Sequence, residues 1–343
     1  MGAPVLSPRI LIMGPNWVGD MVLAHSLFQI IKQQHPGALI DVAAPAWTLP
    51  LLERMPEVAN AIALPFKHGE LNLGARMRLG RSLRPQAYTQ VILLTNSLKS
   101  AILPFAARIP RRTGFIGELR YGLLNDIRKL DKTLLPRTVD RFVSLGLEPQ
   151  QPLPAAIPNP RLIADSTNAD AALARLAVSR PTIPVLGLCP GAEYGEAKRW
   201  PAEYYAEVAR HALESGWAVW LFGSGKDIPV TTEINRLTEN RCLDLGGKTR
   251  LGEAIDLMSL TTTVISNDSG LMHVAAALGK KVIAIYGSSD PHHTPPMSSD
   301  AVILWLGLDC SPCFERECPL KHLNCLKQLK PESVLRQLAI KTA

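Results

Sequence analysis

The feature that most constrains the fold is the repeated alternation of short, β-branched apolar runs with segments of helical periodicity. RILIMG at 9–14 predicts a strand, and MVLAHSLFQIIKQQ at 21–34 predicts a helix. Strand-like runs follow at 38–44, 60–65 and 90–96. Strands that alternate with helices form parallel sheets with helices on both faces, so this region predicts a doubly wound α/β domain.

A second series of the same kind follows a Pro-rich stretch at 148–160. Its helix is EYYAEVARHALESG, and its predicted strands lie within 181–192, 217–224, 242–247, 263–268 and 281–287. We therefore predict an α/β fold of two Rossmann-like domains facing each other across a cleft. The predicted boundaries are 1–165, 178–330 and a terminal helix at 331–343. Ligands of such sheets bind at the carboxyl ends of the strands.

Composition excludes several classes of protein. The chain has 343 residues, of which 47% are hydrophobic and 20% are charged, and this balance is typical of folded domains rather than disorder. It has no apolar run of about 18 residues that could span a membrane. The N-terminal MGAPVLSPRILIMG lacks the pattern of a signal peptide, and Leu6 stands where a myristoylation signal needs Ser or Thr. We expect a soluble, cytoplasmic protein.

The net charge of +7 is unevenly distributed. Between Lys99 and Lys129 the sequence has seven basic residues and two acidic ones. Such a segment suits a polyanionic partner, which could be nucleic acid, an anionic membrane surface or a phosphorylated glycolipid. A solvated basic face with counter-ions is the alternative.

Two loops have the composition of an anion-binding site. VISNDSGLMH at 264–273 runs from a strand through a polar turn into a helix, whose free N–H groups attract anions. CPGAEYGEAKRWP at 189–201 adds a Gly-rich turn and the point charge of Lys198. The 189–201 loop lacks the GxxxxGK[ST] Walker pattern, and GPNWVGDM at 14–21 is not a GxGxxG loop, so NAD binding has little support. An ordinary capped turn between strand and helix is the alternative for the first loop.

A third motif, GPNWVGDM at 14–21, places Asp20 at the mouth of the first helix. Asp20 is either an N-cap or a carboxylate at the cleft that takes a proton from an acceptor hydroxyl. The sequence pattern alone leaves both readings open.

Together these segments resemble the ADP-heptose:lipopolysaccharide heptosyltransferases, and most closely the branch that adds the second heptose of the inner core. The resemblance covers nearly the whole chain. It is carried by GPNWVGDM, APAW, NSLKSAILPF, RTGFIGELRYGLLND, CPGAEYGEAKRWP, FGSGKD and SNDSGLMHVAAALGKKVIAIYGSSDP.

The resemblance implies a GT-B fold and an inverting transfer of L-glycero-D-manno-heptose from ADP-heptose to the first heptose of heptosyl-Kdo2-lipid A. It implies catalytic roles for Asp20 as the base and for Lys198 at the phosphates. The implied donor site consists of Gly191, Ala192, Glu193, Lys198, Asp268, Ser269, Gly270 and His273. For His273 a satisfied buried histidine is the alternative.

The resemblance also implies what the protein meets outside the donor site. Lys99, Arg112 and Arg120 are candidate acceptor residues, since the inner core carries phosphates and Kdo carboxylates. The expected partners are ADP-heptose, the glycolipid acceptor and the anionic inner face of the inner membrane, with no nucleic acid. No cofactor is required, because helix N–H groups and a lysine can stabilise the leaving diphosphate.

Six cysteines divide into two kinds. Cys189 and Cys242 are isolated on predicted strands and are expected to be small buried hydrophobes. The other four crowd together in a spacing that resembles a metal ligand set: Cys310, Cys313, Cys318 and Cys325. A structural zinc site, reduced thiols and adventitious disulfides are all compatible with this spacing.

Two further functions remain compatible with the residues. One is a nucleotide- or polyanion-binding protein without transferase activity, and the other is a GT-B enzyme with a different nucleotide-sugar donor. The presence of both Asp20 and Lys198 favours an enzyme, since a binding protein has no need of a base. Only the resemblance selects heptose.

Overall fold

Two parallel six-stranded sheets form the framework of the chain. The computed structural model describes residues 7–66 and 69–338. It divides into a unit that ends at Pro160 and a unit that begins at Arg161. None of the described helices is long and apolar enough to cross a bilayer.

The N-terminal unit follows the predicted alternation. Its strands are β1 (Arg9–Met13), β2 (Leu39–Pro45), β3 (Val58–Leu64), β4 (Gln90–Leu93), β5 (Arg111–Phe115) and β6 (Asp126–Arg128). Its helices are α1 (Val18–Gln34), α2 (Leu49–Leu52), α3 (Leu73–Ser82), α4 (Leu98–Ala106) and α5 (Thr138–Leu145).

The C-terminal unit repeats this organisation. Its strands are β7 (Val185–Cys189), β8 (Ala218–Leu221), β9 (Leu243–Asp244), β10 (Thr263–Asn267), β11 (Lys281–Ile285) and β12 (Ala301–Leu304). Its helices are α6 (Ser166–Arg175), α7 (Ala202–Glu214), α8 (Ile228–Leu237), α9 (Leu251–Met258), α10 (Gly270–Ala277), α11 (Asn324–Lys327) and α12 (Pro331–Leu335). The predicted terminal helix thus covers α12, and its last residues, 339–343, lie outside the described residues.

The strand order determines where a ligand can bind at the edge of each sheet. The orders are β3-β2-β1-β4-β5-β6 and β12-β11-β10-β7-β8-β9. In both, the chain builds outward to one side and then returns to the centre to build the other side. The resulting switch points lie between β1 and β4 and between β7 and β10, where loops diverge and leave a crevice.

Three strands were not predicted: β5, β6 and β12. β5 begins with Arg111 and Arg112, and β6 has only three residues, so neither has an apolar run that marks a strand. Their pairing is stabilised by long-range ion pairs, since Arg111 Nε donates to Asp126 Oδ2 at 3.0 Å. A partner fifteen residues away cannot be read from local periodicity.

The segment between the two predicted domains belongs to the C-terminal unit. Buried Asp256 on α9 accepts hydrogen bonds from the Asp165 backbone N–H at 2.9 Å and from Asn168 Nδ2 at 2.6 Å. These bonds hold the start of α6 against α9. Along the chain, the boundary between the two compact units falls between Pro160 and Arg161, and α6 belongs to the C-terminal unit.

The core of the C-terminal unit lies directly beneath the 189–201 loop. Trp200 and Tyr205 are fully buried with their rings edge-to-face at 5.0 Å. Trp200 Nε1 donates to the Leu329 carbonyl at 2.8 Å, which fixes the chain just before α12. Burial of large aromatic side chains is among the strongest contributions to a core, so this loop has a rigid base.

Candidate functional site

Loops from three neighbouring strands of the C-terminal sheet meet at a buried carboxylate. Asp268 follows β10 and accepts hydrogen bonds from Lys198 Nζ at 2.5 Å and from the Ser289 hydroxyl at 2.6 Å. Lys198 lies in the loop after β7, and Ser289 lies after β11. Asp268 is 6% exposed and the Lys198 side chain 18% exposed, so the pair is largely removed from water. A lysine held in this way presents a fixed positive charge.

His273 lies one turn into α10, beside this pair. Its ring is buried, and Nδ1 has no hydrogen-bond partner in the described part of the chain. Burial, assisted by the positive charge of Lys198 and opposed by Asp268, lowers the pKa of His273 to about 4. The imidazole is therefore neutral near pH 7 and has an unused polar atom. This excludes the simplest alternative, a histidine whose hydrogen bonds the protein already satisfies.

Two further buried polar atoms in the same loops lack partners. They are Arg199 Nε and Ser288 Oγ, and each is unpaired among residues 7–66 and 69–338. Buried polar atoms are nearly always hydrogen-bonded, so unpaired ones concentrated around Lys198 and Asp268 indicate a site built for a polar ligand. Ser288 and Ser289 were not assigned to the site from the sequence, although the YGSSD turn that carries them has the Gly-Ser composition typical of such loops.

Asn267 positions the loop after β7 and was also missed. Its side-chain Nδ2 donates to the Pro190 carbonyl at 2.6 Å, and its Oδ1 accepts from the Trp200 backbone N–H at 3.0 Å. Asn is a residue type that often caps helices, but the Asn267 side chain instead holds both ends of the 190–200 loop. No local pattern announces contacts between residues this far apart in the chain.

The Gly-rich turn depends on close packing. A Cβ at Gly191 would lie 2.3 Å from an Asp227 carboxylate oxygen, so any larger residue there would displace the Asp227 side chain. Ala192 is buried and its carbonyl accepts from Arg199 Nη2 at 3.2 Å. Glu193 forms an exposed ion pair with Lys226 of the FGSGKD loop. The turn is thus braced by the loop after β8.

The helix that begins at Gly270 leaves its first amides available. Ser269 is the N-cap residue, but its side chain makes no capping bond. The Ser269 hydroxyl lies 3.2 Å from the Ser266 hydroxyl instead. Free N–H groups at a helix N-terminus, one residue after a paired Lys–Asp site, form the setting in which phosphates bind.

In the N-terminal unit, Asp20 lies in the first turn of α1, after the loop at the β1–β4 switch point. It is not the N-cap residue, because the helix begins at Val18 with Trp17 in the capping position. Trp47 Nε1 donates to the Asn16 carbonyl at 3.1 Å, which joins the APAW motif to the GPNWVGDM motif. The N-cap alternative for Asp20 is therefore wrong, and its partial exposure leaves it accessible for chemistry.

Two of the three candidate acceptor residues are engaged elsewhere. Arg120 is fully buried, with Nη1 and Nη2 donating to the Thr95 carbonyl at 2.7 Å and the Phe115 carbonyl at 2.6 Å. Burial lowers the pKa of Arg120 to about 10. Although its Nε has no partner in the described chain, the guanidinium as a whole crosslinks the protein. Arg120 is corrected from an acceptor ligand to a structural residue.

Arg112 has a similar role. Its Nε donates to the Leu123 carbonyl at 2.6 Å and Nη1 to the Ile109 carbonyl at 2.7 Å. The guanidinium carbon also lies 5.6 Å from the centre of the Phe105 ring. Lys99, which is half-buried in the first turn of α4, keeps its place as a candidate.

The rest of the basic segment is partly neutralised within the N-terminal unit. Arg111 and Arg128 both pair with Asp126, and Arg111 also pairs with Glu148. Burial alone would raise the pKa of Asp126, but hydrogen bonds from Arg128, Thr113 and Arg111 lower it to about 2. Arg108 and Lys129 remain exposed. The positive electrostatic potential of the basic segment 99–129 is therefore weaker than its number of basic residues suggests.

Comparison with known proteins agrees with this arrangement. The family model described as glycosyltransferase family 9 (heptosyltransferase) matches residues 76–324. Lipopolysaccharide heptosyltransferase 2 of Escherichia coli K12 is 42% identical over 339 residues, covering 96% of this chain and 97% of that protein. Lipooligosaccharide heptosyltransferase 2 of Haemophilus influenzae is 48% identical over 309 residues, with 87% and 88% covered.

The solved structure of E. coli ADP-heptose LPS heptosyltransferase II superimposes with a TM-score of 0.85 at 40% identity, covering 96% of this chain and 97% of that one. Two Rossmann-like units with loops of this kind define a glycosyltransferase of the GT-B class, as predicted. The chain belongs to glycosyltransferase family 9, the heptosyltransferases.

Proposed function

We propose that this enzyme transfers L-glycero-D-manno-heptose from ADP-heptose to the first heptose of the lipopolysaccharide inner core, with heptosyl-Kdo2-lipid A as the acceptor. The relatives described above are a lipopolysaccharide heptosyltransferase 2 and a lipooligosaccharide heptosyltransferase 2, which supports this proposal. The observation that carries the donor half is the buried Lys198–Asp268–Ser289 group beside the unsatisfied His273.

Lys198 and the first amides of α10 are proposed to bind the diphosphate. Breaking the bond between the anomeric carbon and the phosphate oxygen places negative charge on ADP, and fixed cations and amides stabilise that charge without reorganising. Asp268 holds Lys198 in place, because the carboxylate lies 2.5 Å from its Nζ. Lysine here supplies the charge that a metal ion supplies in other glycosyltransferases.

His273 is proposed to bind the donor as a neutral hydrogen-bonding group. Its pKa of about 4 keeps the ring uncharged at neutral pH, so Nδ1 can either donate to or accept from a sugar or ribose hydroxyl. Ser288 Oγ and Arg199 Nε are two more buried polar atoms available to the ligand.

Asp20 is proposed to be the base. A carboxylate in the first turn of α1 can accept the proton of the attacking acceptor hydroxyl as that oxygen bonds to the anomeric carbon. Direct displacement of ADP then inverts the configuration at that carbon. The helix dipole favours negative charge in the first turn of α1, where Asp20 lies.

We further propose that the enzyme works at the cytoplasmic face of the inner membrane. The acceptor is a lipid, and the N-terminal unit exposes Leu119, Tyr121 and Leu134 together with Arg108 and Lys129. Apolar side chains and cations together favour contact with an anionic lipid surface.

One incubation tests the central proposal. Purified enzyme is mixed with ADP-heptose and heptosyl-Kdo2-lipid A, and the product is analysed by mass spectrometry. We expect the acceptor to gain one heptose residue, with ADP released in equal amount. Transfer from another nucleotide sugar in place of ADP-heptose would contradict the donor, and ADP binding without any transfer would contradict the enzymatic assignment.

A further inference from the structure

The segment at 305–323, which has no helix or strand, is bonded to the loop after β11. The Phe314 backbone N–H donates to the Ser288 carbonyl at 2.7 Å, and the buried Ser311 hydroxyl donates to the Gly287 carbonyl at 2.6 Å. The cysteines of the segment are free thiols, and no three potential metal ligands are grouped in the described part of the chain. Hydrogen bonds to a loop of the candidate site are thus the contacts that place this segment.

The same segment also packs on the loop after β7. The Arg316 carbonyl accepts from the Ala197 N–H at 3.0 Å, and the Phe314 carbonyl accepts from the Tyr194 hydroxyl at 2.6 Å. A Cβ at Gly195 would lie 2.3 Å from the Arg316 carbonyl oxygen, so the two backbones are in direct contact. Residues 314–316 therefore lie beside the loop that carries Lys198.

The Tyr194 ring brings two cations together. Lys198 Nζ lies 5.1 Å from the centre of the ring, and the Arg316 guanidinium carbon lies 5.3 Å from it. Because both distances are measured from one ring centre, the two cations are within about 10 Å of each other. Attraction to the ring offsets part of the repulsion between like charges, and an anion bound to both would offset more of it.

The buried group around Lys198 offers a diphosphate little net positive charge. The charge of Lys198 is balanced by Asp268, whose carboxylate lies 2.5 Å from Nζ. His273 is neutral at pH 7, since its pKa is about 4. Arg199 already donates Nη2 to the Ala192 carbonyl at 3.2 Å. Each phosphate of a nucleotide sugar is negatively charged, so a further cation at this site would favour its binding.

Arg316 can supply that charge. Its side chain makes no hydrogen bond or ion pair with any residue that the structure describes, although Glu315 and Glu317 flank it in the sequence. Contact with a ring face uses none of the guanidinium N–H groups, which lie in one plane and match the oxygens of a phosphate. The side chain is exposed, so a ligand can reach it.

We propose that Arg316, held over Tyr194, is a second cation of the donor site and binds the diphosphate of ADP-heptose together with Lys198. This inference rests on the proposed function. It makes Arg316 a donor-binding residue and Tyr194 a positioning residue, since the Tyr194 ring contacts both cations and its hydroxyl is bonded to the segment that carries Arg316.

Calorimetric titration with ADP tests the charge of Arg316. Arg316→Gln should weaken ADP binding about tenfold, which is less than expected for Lys198 because solvent screens an exposed cation. Arg316→Lys keeps the charge without the planar fork and should bind with intermediate affinity. Arg336→Gln, a control on an exposed arginine that follows α12, should bind ADP as the wild type does. Equal Kd values for Arg316→Gln and the wild type would overturn the proposal.

Ionic strength identifies the group that Arg316 contacts. A contact with phosphate is ionic, so the difference between wild type and Arg316→Gln should shrink from about tenfold near 0.05 M salt to about threefold near 0.5 M. In steady-state assays, Arg316→Gln should raise the KM for ADP-heptose and leave kcat within about twofold. A difference in Kd that salt does not change would place Arg316 against the uncharged adenosine and would contradict the diphosphate contact.

A double-mutant cycle tests the positioning role of Tyr194. In a Tyr194→Leu background the guanidinium loses its ring contact, so Arg316→Gln should weaken ADP binding by no more than about threefold. A tenfold loss in both backgrounds would remove the role of the ring.

Failure of the proposed function would look different from failure of this inference. A wild-type protein that does not bind ADP would overturn both. ADP binding by the wild type that Arg316→Gln leaves unchanged would overturn only the role of Arg316.

Discussion

The two sheets share one strand order, yet their buried polar groups are used in opposite ways. In the N-terminal unit, Asp41 accepts from Arg9, Asn60 and Tyr88, and Arg120 donates to several backbone carbonyls. In the C-terminal unit, Arg199, His273 and Ser288 each have a buried atom without a partner in the described chain.

This difference shows how a binding residue can be told from a structural one in a repeated topology. Strand order places both sets of loops at a switch point, so topology alone marks both as candidate sites. Hydrogen-bond satisfaction separates them: a guanidinium that donates most of its hydrogen bonds within the protein serves the fold, whereas several unpaired atoms gathered in neighbouring loops indicate a ligand site. The unsatisfied atoms of the C-terminal unit therefore support the proposed donor site there. Arg120 serves the fold of the N-terminal unit, because its Nη1 and Nη2 both donate to carbonyls, although its Nε has no partner in the described chain.

The largest effect is expected where the N-terminal unit is proposed to act chemically. Asp20→Asn should lower kcat by about 10³-fold, or ~4 kcal/mol, because a general base contributes 10²- to 10⁴-fold. ADP affinity, measured by calorimetry, should stay within about twofold. Glu203→Gln, which changes a first-turn acid of α7, should leave kcat unaltered. A variant at Asp20 that keeps a tenth of wild-type turnover would remove the base assignment.

The next largest effect tests the structural role of Arg120. Arg120→Ala should reduce the free energy of unfolding by about 3 kcal/mol, since buried carbonyls of Thr95 and Phe115 lose their donors. Urea denaturation measures this, with exposed Lys129→Ala as a control expected within about 0.5 kcal/mol of wild type. The folded variant should keep its KM for the acceptor. A raised KM without loss of stability would restore Arg120 as an acceptor residue.

A smaller effect is expected at the cation of the C-terminal site. Lys198→Ala should weaken ADP binding about 30-fold, or ~2 kcal/mol, within the range for a hydrogen bond to a charged group. Calorimetric titration with ADP measures this, and Lys248→Ala serves as an exposed-lysine control. If Lys198→Ala left the Kd for ADP unchanged, Lys198 would serve only the fold of the C-terminal unit. The contrast between buried polar groups that serve the fold in one unit and a ligand in the other would then be wrong.

The smallest effect concerns pH and His273. Since the pKa of this ring falls from 6.5 in the unfolded chain to about 4 in the folded one, the unfolded state takes up a proton first as the pH falls. Stability is therefore lost progressively between pH 6.5 and 4, by about 1 kcal/mol over the step from 6.5 to 5.5. Urea denaturation at both pH values should show this loss in the wild type and a flatter response in His273→Asn. Identical slopes would mean that the ring is not held neutral.

Much of the fold could be predicted because local sequence patterns indicate its strands and helices. The strands that became β1, β2, β4, β10 and β11 are apolar runs with turn residues behind them, and the GT-B class follows from their alternation with helices. The same locality explains why the sequence could place Lys198 and Asp268 close together, since each follows a strand, and the carboxyl ends of neighbouring parallel strands lie close together.

What the sequence could not provide depends on contacts between distant residues. Burial of Arg120 follows from the packing of α4 against the β5–β6 connection, and a basic residue there looks the same as an exposed one in a list of charges. Ser289 becomes relevant only because β10 and β11 are neighbours in the sheet. The role of Asn267 was concealed by its own suitability as a helix cap, a local preference that long-range bonds overrode.

The two hydrogen bonds of the Asn267 side chain have a practical consequence for changing the sugar preference of the enzyme. The Asn267 amide is hydrogen-bonded to Pro190 at 2.6 Å and to Trp200 at 3.0 Å, so both ends of the stretch between these residues are held in place. Residues within the stretch can therefore be varied while its ends stay fixed. Libraries that vary residues 193, 194 and 196 should keep the scaffold intact and sample new sugar preferences. Gly195 is kept, because a Cβ there would lie 2.3 Å from the Arg316 carbonyl oxygen. Substitutions at position 267 should disorder the whole loop, since the Asn267 amide both donates to one end of it and accepts from the other.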